Sequence, residues 1–282
     1  MIKIGIRSES YFSIDEYEHG FNKMKSHSYD CVDYSPLANP DCYLYDKTEK
    51  EFVSFLNEVR NSAKNAGIEI FQMHGLWPSQ DTTDEGRARS IEYFKKEILA
   101  AQVLECPNLV IHPCLPYGTR NEPDNELGWE TNIRRFEALL PIAEKLGVTI
   151  CVENLPFLAI KMSQVDYLIK LLDYFQHPNL KICLDTGHAN MHHDDLAQDV
   201  RKIGKDLQCL HVHDNRGYFD EHMIPYKGTI DWASFLSALK EIGYNGCFSL
   251  ETCLNKRMPE PFLENERINL ASLARFMANH LE

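Results

Sequence analysis

Eight short apolar runs recur along the chain, each followed by a longer amphipathic stretch. They are Ile2 to Arg7, Tyr29 to Tyr34, Ile68 to His74, Asn108 to His112, Val148 to Glu153, Leu180 to Asp185, Gln208 to His213 and Cys247 to Glu251. Strands that alternate with helices bury both faces of a parallel sheet, and eight such units close on themselves. The fold class predicted is therefore α/β, a TIM (β/α)8 barrel, with residues 1–282 as a single domain of the usual size for that architecture. Gly67, Gly147 and Gly243 each stand just before a strand, where a helix can end in a left-handed turn. Ser163 with Asp166, and Asp231 before Trp232, read as helix N-caps, and His192 and His193 read as a helix start.

Composition excludes several classes of function. With 42 acidic against 29 basic residues the formal charge is -13, which opposes non-specific attraction to nucleic acid or anionic membranes. There is no run long enough to span a membrane and no basic, apolar leader, so a cytoplasmic protein is expected. The nine cysteines lack a Cys-x-x-Cys pair, and several lie in apolar runs, so they read as buried, inert thiols.

Side chains alternate along a strand, so the polar residue ending each run can be assigned a face. If Val148, Ile150 and Val152 face the helices, then Thr149, Cys151 and Glu153 face the barrel interior. The same parity turns Cys183 and Asp185, Cys209 and His211, and Ser249 and Glu251 inward, and His74 and His112 end the third and fourth strands. Six consecutive strands thus each deliver a carboxylate or imidazole to the C-terminal mouth, where barrel enzymes place their sites. Several carboxylates buried together need a counter-charge, and a divalent cation accepts these ligand types. The expected metal ligands are Glu153, Asp185, His211 and Glu251. His188, three residues after Asp185, can fold back toward the same ion, and Asp220 with His222 can share one. His74, His112, His188, Asp220 and His222 are thus additional candidates for metal or substrate. Trp77, Tyr117, Trp129, Phe157, Tyr218, Phe219 and Tyr226 lie in the loops of the mouth, where an aromatic ring stacks on a sugar or base; Trp77 is taken as substrate-binding.

At Cys151-Val152-Glu153-Asn154, Leu184-Asp185-Thr186-Gly187-His188, His211-Val212-His213-Asp214-Asn215, Gly228-Thr229-Ile230-Asp231-Trp232 and Ser249-Leu250-Glu251 the chain resembles the xylose isomerase-like superfamily of TIM barrels. That superfamily includes sugar phosphate isomerases and epimerases and also the endonuclease-IV-type apurinic nucleases. The resemblance implies Glu153, Asp185, His211 and Glu251 as catalytic metal ligands, Glu153 and Glu251 as acid and base, and His188 and Arg216 as substrate-binding groups. The related ketose 3-epimerases carry a further substrate-contacting glutamate where this chain has Ala159. The nuclease branch binds zinc through positions that here are His74, His112, Glu153, Asp185, His188, His211, Asp220, His222 and Glu251. Its Asn-Asp after the seventh-strand histidine is replaced by His213-Asp214, and the loop from Ser35 to Lys47 carries Asp41 and Asp46 without an arginine, a poor lining for DNA.

The function expected is a divalent-metal-dependent sugar or sugar phosphate isomerase/epimerase, moving a proton through a metal-stabilised enediolate. Mn²⁺ is the expected ion, with Zn²⁺, Mg²⁺ or Co²⁺ as alternatives, and the partner is a small sugar or polyol. A multi-zinc phosphodiesterase, a metal-dependent lyase acting on oxidised sugars, and a non-catalytic binding barrel are the competing readings. Assembly into a homo-oligomer is left open.

Overall fold

The computed structural model describes residues 2–79, 83–115, 122–193 and 195–281. Eight strands form one parallel sheet: β1 (Lys3–Arg7), β2 (Cys31–Tyr34), β3 (Glu69–His74), β4 (Asn108–Ile111), β5 (Thr149–Glu153), β6 (Leu180–Asp185), β7 (Leu207–His211) and β8 (Cys247–Leu250). Each neighbours the next in sequence, and β1 also pairs with β8. The remaining gap is closed by a parallel bridge between Val212 and Leu250, where the Val212 N–H donates to Ser249 O (2.8 Å) and the Glu251 N–H to Val212 O (3.0 Å). The chain is a TIM barrel. β7 ends two residues earlier than expected because pairing passes at Val212 from β6 to β8, and this handover sets His211 beside Glu251.

Helices α1 (Tyr17–Ser26), α2 (Glu49–Ala66), α3 (Asp84–Leu104), α4 (Asn125–Leu146), α5 (Val165–Phe175), α6 (Thr186–Met191), α7 (Leu196–Ile203), α8 (Trp232–Glu241) and α9 (Glu260–Asn279) surround the sheet. The outward strand residues Ile150, Val152, Ile182, Leu184, Leu210 and Phe248 are fully buried against helical partners such as Phe136, Leu168, Val200 and Phe235. Each such side chain contributes roughly 1.5–3 kcal/mol by leaving water. Inside the barrel a separate small cluster of Val110, Cys151, Cys183 and Cys209 fills the space below the mouth, as the parity required. Burial holds the Cys183 and Cys209 thiols well above their ordinary range, which keeps them inert. The expectation of buried cysteines holds for all but Cys253, which is exposed.

Gly67 and Gly147 cap α2 and α4 at φ 71° and 69°, and Gly243 follows α8 at φ 68°. Asp231 caps α8 by accepting from the Ser234 N–H at 3.2 Å. Ser163 does not cap α5. Its carbonyl accepts from the Leu155 N–H, its side chain is fully buried, and Gln164 takes the cap position without a side-chain hydrogen bond. His192 and His193 end α6 rather than start a helix, because Asp185 at the tip of β6 already caps α6 by accepting from the His188 N–H (2.6 Å).

Candidate metal centre and cavity

The inward tips of β5 to β8 converge. Glu153 is buried at the centre, with Oε1 2.9 Å from His211 Nδ1 and Oε2 2.9 Å from His112 Nε2. Glu251 Oε2 lies 3.1 Å from His211 Nδ1, and Arg7 at the tip of β1 forms an ion pair with Glu251 Oε1. Asp185 is fixed by a reciprocal clamp: its N–H donates to Asn154 Oδ1 (2.8 Å) and its carbonyl accepts from Asn154 Nδ2 (2.9 Å). Glu153, Asp185, His211 and Glu251 thereby place one donor atom each within 4.8 Å of one another.

Burial would push both glutamates up, but His211 opposes it. Together with His112 at Glu153, and with Arg7 and His222 at Glu251, it holds both carboxyls well below the usual range. Burial opposes a charge on His211, yet Cys183, Glu153, Glu251 and the contact with Asp33 hold it well above its ordinary value. The donor set passes a direct test of fit for a cation: Glu251 Oε2 is buried without a hydrogen bond, and its nearest charged neighbours are groups that would share an ion.

Two flanking groups complete the rim. His74 Nδ1 donates to Gly75 O (2.8 Å), leaving Nε2 toward Glu153 Oε2 at 3.8 Å. Burial, with Arg7 and His112, pushes His74 down to about 4, so it is a neutral imidazole. On the other side Asp220 Oδ2 lies 3.2 Å from both His188 Nε2 and His222 Nε2, and the His213 ring stacks on His222 with centroids 4.1 Å apart. Burial opposes the charge on His188, yet Asp185, Asp220 and Glu153 raise it to about 10; Asp220, Glu251 and Asp185 do the same for His222.

A cavity of about 750 Å³ opens above these groups. Trp77 and Phe157 line it, Trp77 lying edge-on to His112 at 4.4 Å, while Glu9 and Asp41 stand on its wall. Other mouth aromatics lie elsewhere. Trp129 packs against Tyr167 and Tyr174 between α4 and α5, Tyr218, Phe219 and Tyr226 are exposed, and Tyr117 lies outside the described residues. Arg216 is also absent from the lining. Glu221 folds back to accept from its backbone N–H (2.9 Å) and guanidinium (2.5 Å), which turns it away.

Four residues of the site were not singled out from the sequence: Arg7, Glu9, Asp33 and His213. Arg7, Asp33 and His213 share the inward parity of the expected metal ligands, which was the available signal. His213 Nε2 lies 3.0 Å from an Asp185 carboxylate oxygen. Asp214 next to it is structural, accepting from Trp232 Nε1 (3.0 Å) and so tying the β7 loop to α8. His213 leaves Gly187 no room for a side chain, since a Cβ there would stand 2.0 Å from the ring. Gly187→Ala is therefore expected to displace His213 and destabilise the fold by about 1–3 kcal/mol. A variant melting at the wild-type temperature would show that this packing does not constrain the site.

The closed barrel and its rim of converging carboxylates and imidazoles define a TIM barrel equipped for chemistry at the C-terminal face. The family model described as xylose isomerase-like TIM barrel matches residues 21–277, and the chain belongs to that family. It is 27% identical over 254 residues to an uncharacterised protein of Methanocaldococcus jannaschii, covering 89% of this chain and 83% of that one. Identity to a D-psicose 3-epimerase of Ruminiclostridium cellulolyticum is 26% over 203 residues, 70% of this chain and 67% of the relative. Among solved structures, a D-psicose 3-epimerase with D-tagatose from Clostridium cellulolyticum superposes with a TM-score of 0.81 at 19% identity, covering 98% of this chain and 99% of that one. A D-tagatose 3-epimerase-like protein gives 0.78 at 24%, covering 99% and 98%. Among the described residues no helix is long and apolar enough to cross a membrane.

Proposed function

We propose that this chain is a divalent-metal-dependent isomerase or epimerase of a small sugar or polyol. The observation that carries the reading is the pair Glu153 and Glu251: both are buried, both line one cavity, and both belong to the four-residue donor cluster. The relatives named as ketose 3-epimerases support the substrate class. Glu153, Asp185, His211 and Glu251 would hold the ion, Mn²⁺ or alternatively Zn²⁺, Mg²⁺ or Co²⁺. When bound, a divalent ion supplies Lewis-acid polarisation of a carbonyl, which lowers the cost of removing the adjacent proton.

The residues do the remaining work. Both glutamates enter the cycle as carboxylates: one takes the proton beside the carbonyl, and the other draws a proton from solvent and delivers it to another face or atom. The first then releases its proton to solvent, so each forward turnover restores both carboxylates. His188 on the wall can hydrogen-bond a hydroxyl, and the Trp77 ring offers an apolar face. Turnover of free ketoses by metal-loaded protein in D₂O should place deuterium on the carbon next to the carbonyl. Conversion without deuterium would rule out proton exchange and point to hydride shift. Metal analysis of the same sample should return at least one divalent ion per chain.

A second reading has its own observation: His74 and His112 beside Glu153, and His188, His213 and Asp220 with His222, could hold further ions. It would make the protein a multi-metal phosphodiesterase. Glu9 and Asp41 on the cavity wall oppose a nucleic-acid backbone. Cleavage of a duplex containing an abasic site, lost in His112→Ala, would favour this reading over the first.

A further inference from the structure

We infer that Asp33, a buried carboxylate on β2 away from the cavity, is the positioning residue that fixes His211 as an Nδ1 donor to the cation. The inference rests on the metal-centre reading above and extends it to a residue that would touch neither ion nor substrate. His211 has two distinct sides. Its Nδ1 faces the cluster, 2.9 Å from Glu153 and 3.1 Å from Glu251, while its Nε2 lies 2.8 Å from Asp33 Oδ2. Only Nδ1 can turn its lone pair to an ion among the carboxylates, so Nε2 must carry the hydrogen, which it donates to Asp33. A carboxylate behind a ligating imidazole sets the tautomer, restrains the ring and makes the nitrogen in front a better donor.

Asp33 is itself held. Gln72 Nε2 on β3 donates to the same Oδ2 at 3.1 Å and also to the Leu210 carbonyl at 3.3 Å, which bridges β2, β3 and β7 beneath the site. The other oxygen, Oδ1, is buried without a hydrogen bond, and the Asp33 side chain is fully buried. Burying a carboxylate with one oxygen unpaired is unfavourable for folding alone. A role in orienting His211 accounts for its retention there. The His74 ring lies parallel to His211 at 5.5 Å, an added restraint on the ring plane.

The test is the affinity for Mn²⁺, measured by chelator competition on wild type, Asp33→Ala and Asp33→Asn, with ions per chain counted in each. Asp33→Ala should weaken binding by about 10- to 100-fold. Asp33→Asn should fall between, since its amide oxygen still accepts from Nε2–H without the charge. Turnover of Asp33→Ala should return at saturating Mn²⁺ with KM for the sugar unchanged, a split that general loosening of the fold would not produce. Wild-type affinity in a folded Asp33→Ala protein overturns the inference. Should that variant not fold, wild-type affinity in Asp33→Asn overturns it equally. A wild-type protein that binds no divalent ion at all removes the metal centre itself, which is a separable failure.

Discussion

Glu153→Gln is expected to lower kcat by about a thousandfold, within the 10²–10⁴ range of a positioned acid or base, and to reduce the divalent metal retained by the purified protein. Glutamine keeps the size and one acceptor oxygen but loses the charge that faces His211 and His112, each at 2.9 Å. Two functions are lost together, since the residue is proposed both to hold the cation and to carry a proton. Excess metal should therefore not restore turnover, in contrast to Asp33→Ala, where the proton carriers are intact. Arg216→Ala supplies the control. Its guanidinium is engaged by Glu221 outside the cavity, so turnover should be unchanged. Steady-state rates with a ketose that the wild type converts decide the matter. A Glu153→Gln enzyme that keeps about a tenth of wild-type kcat would exclude this residue as acid or base.

Charge on the cavity wall bears on which reaction such a centre can serve. Arg7 is the one arginine lining the cavity among the described residues, and it is engaged by Glu251 and Glu9. A polyphosphate or nucleic-acid backbone would meet Glu9 and Asp41 with little free positive charge to receive it. An uncharged polyol meets no such penalty, because its hydroxyls can use the same carboxylates as hydrogen-bond acceptors.

Most of the rim of converging carboxylates and imidazoles was legible because strand parity is a strict geometric rule. Once Cys151, Cys183 and Cys209 are inside the barrel, Glu153, Asp185 and His211 must follow two residues later. Arg7 and Asp33 obey that rule as well, but nothing in sequence tells a buried partner of a ligand from a residue that merely ends a strand. Loops carry no such periodicity. The stretch between β7 and α8 bends so that Asp220 and His222 return over His188 while Arg216 turns outward to Glu221, an outcome set by side-chain pairing within the loop. The cap at Ser163 failed for a related reason: its carbonyl was claimed by Leu155, a contact from an earlier segment of the same loop.

A stability that falls as pH rises is expected from Glu97, a fully buried carboxyl on α3. The Tyr45 hydroxyl lies 2.6 Å from both the Leu37 carbonyl and Glu97 Oε1, yet it has a single hydrogen. The carbonyl can only accept, so the hydroxyl donates there, and the second contact is satisfied when a protonated Glu97 donates to the phenol oxygen. Burial pushes the Glu97 carboxyl up to about 8, outweighing the Leu76 backbone contact that pulls the other way. The native state thus keeps a proton that the unfolded chain releases near pH 4.5. Stability from this group is complete below that value and is lost on the way to pH 8, a fall on the order of 5 kcal/mol. Glutamine cannot ionise, and its amide can donate to the same oxygen. Glu97→Gln should therefore lack this slope and gain on the wild type steadily as pH increases, measured by urea unfolding at pH 5, 6.5 and 8. Parallel profiles for the two proteins would mean that Glu97 is already ionised in the fold. The consequence reaches the cavity, because Glu97 Oε2 packs against Gly75 at the exit of β3, where a Cβ would stand 2.9 Å away. An ionised carboxyl there would disturb the short segment that carries Trp77 to the cavity wall.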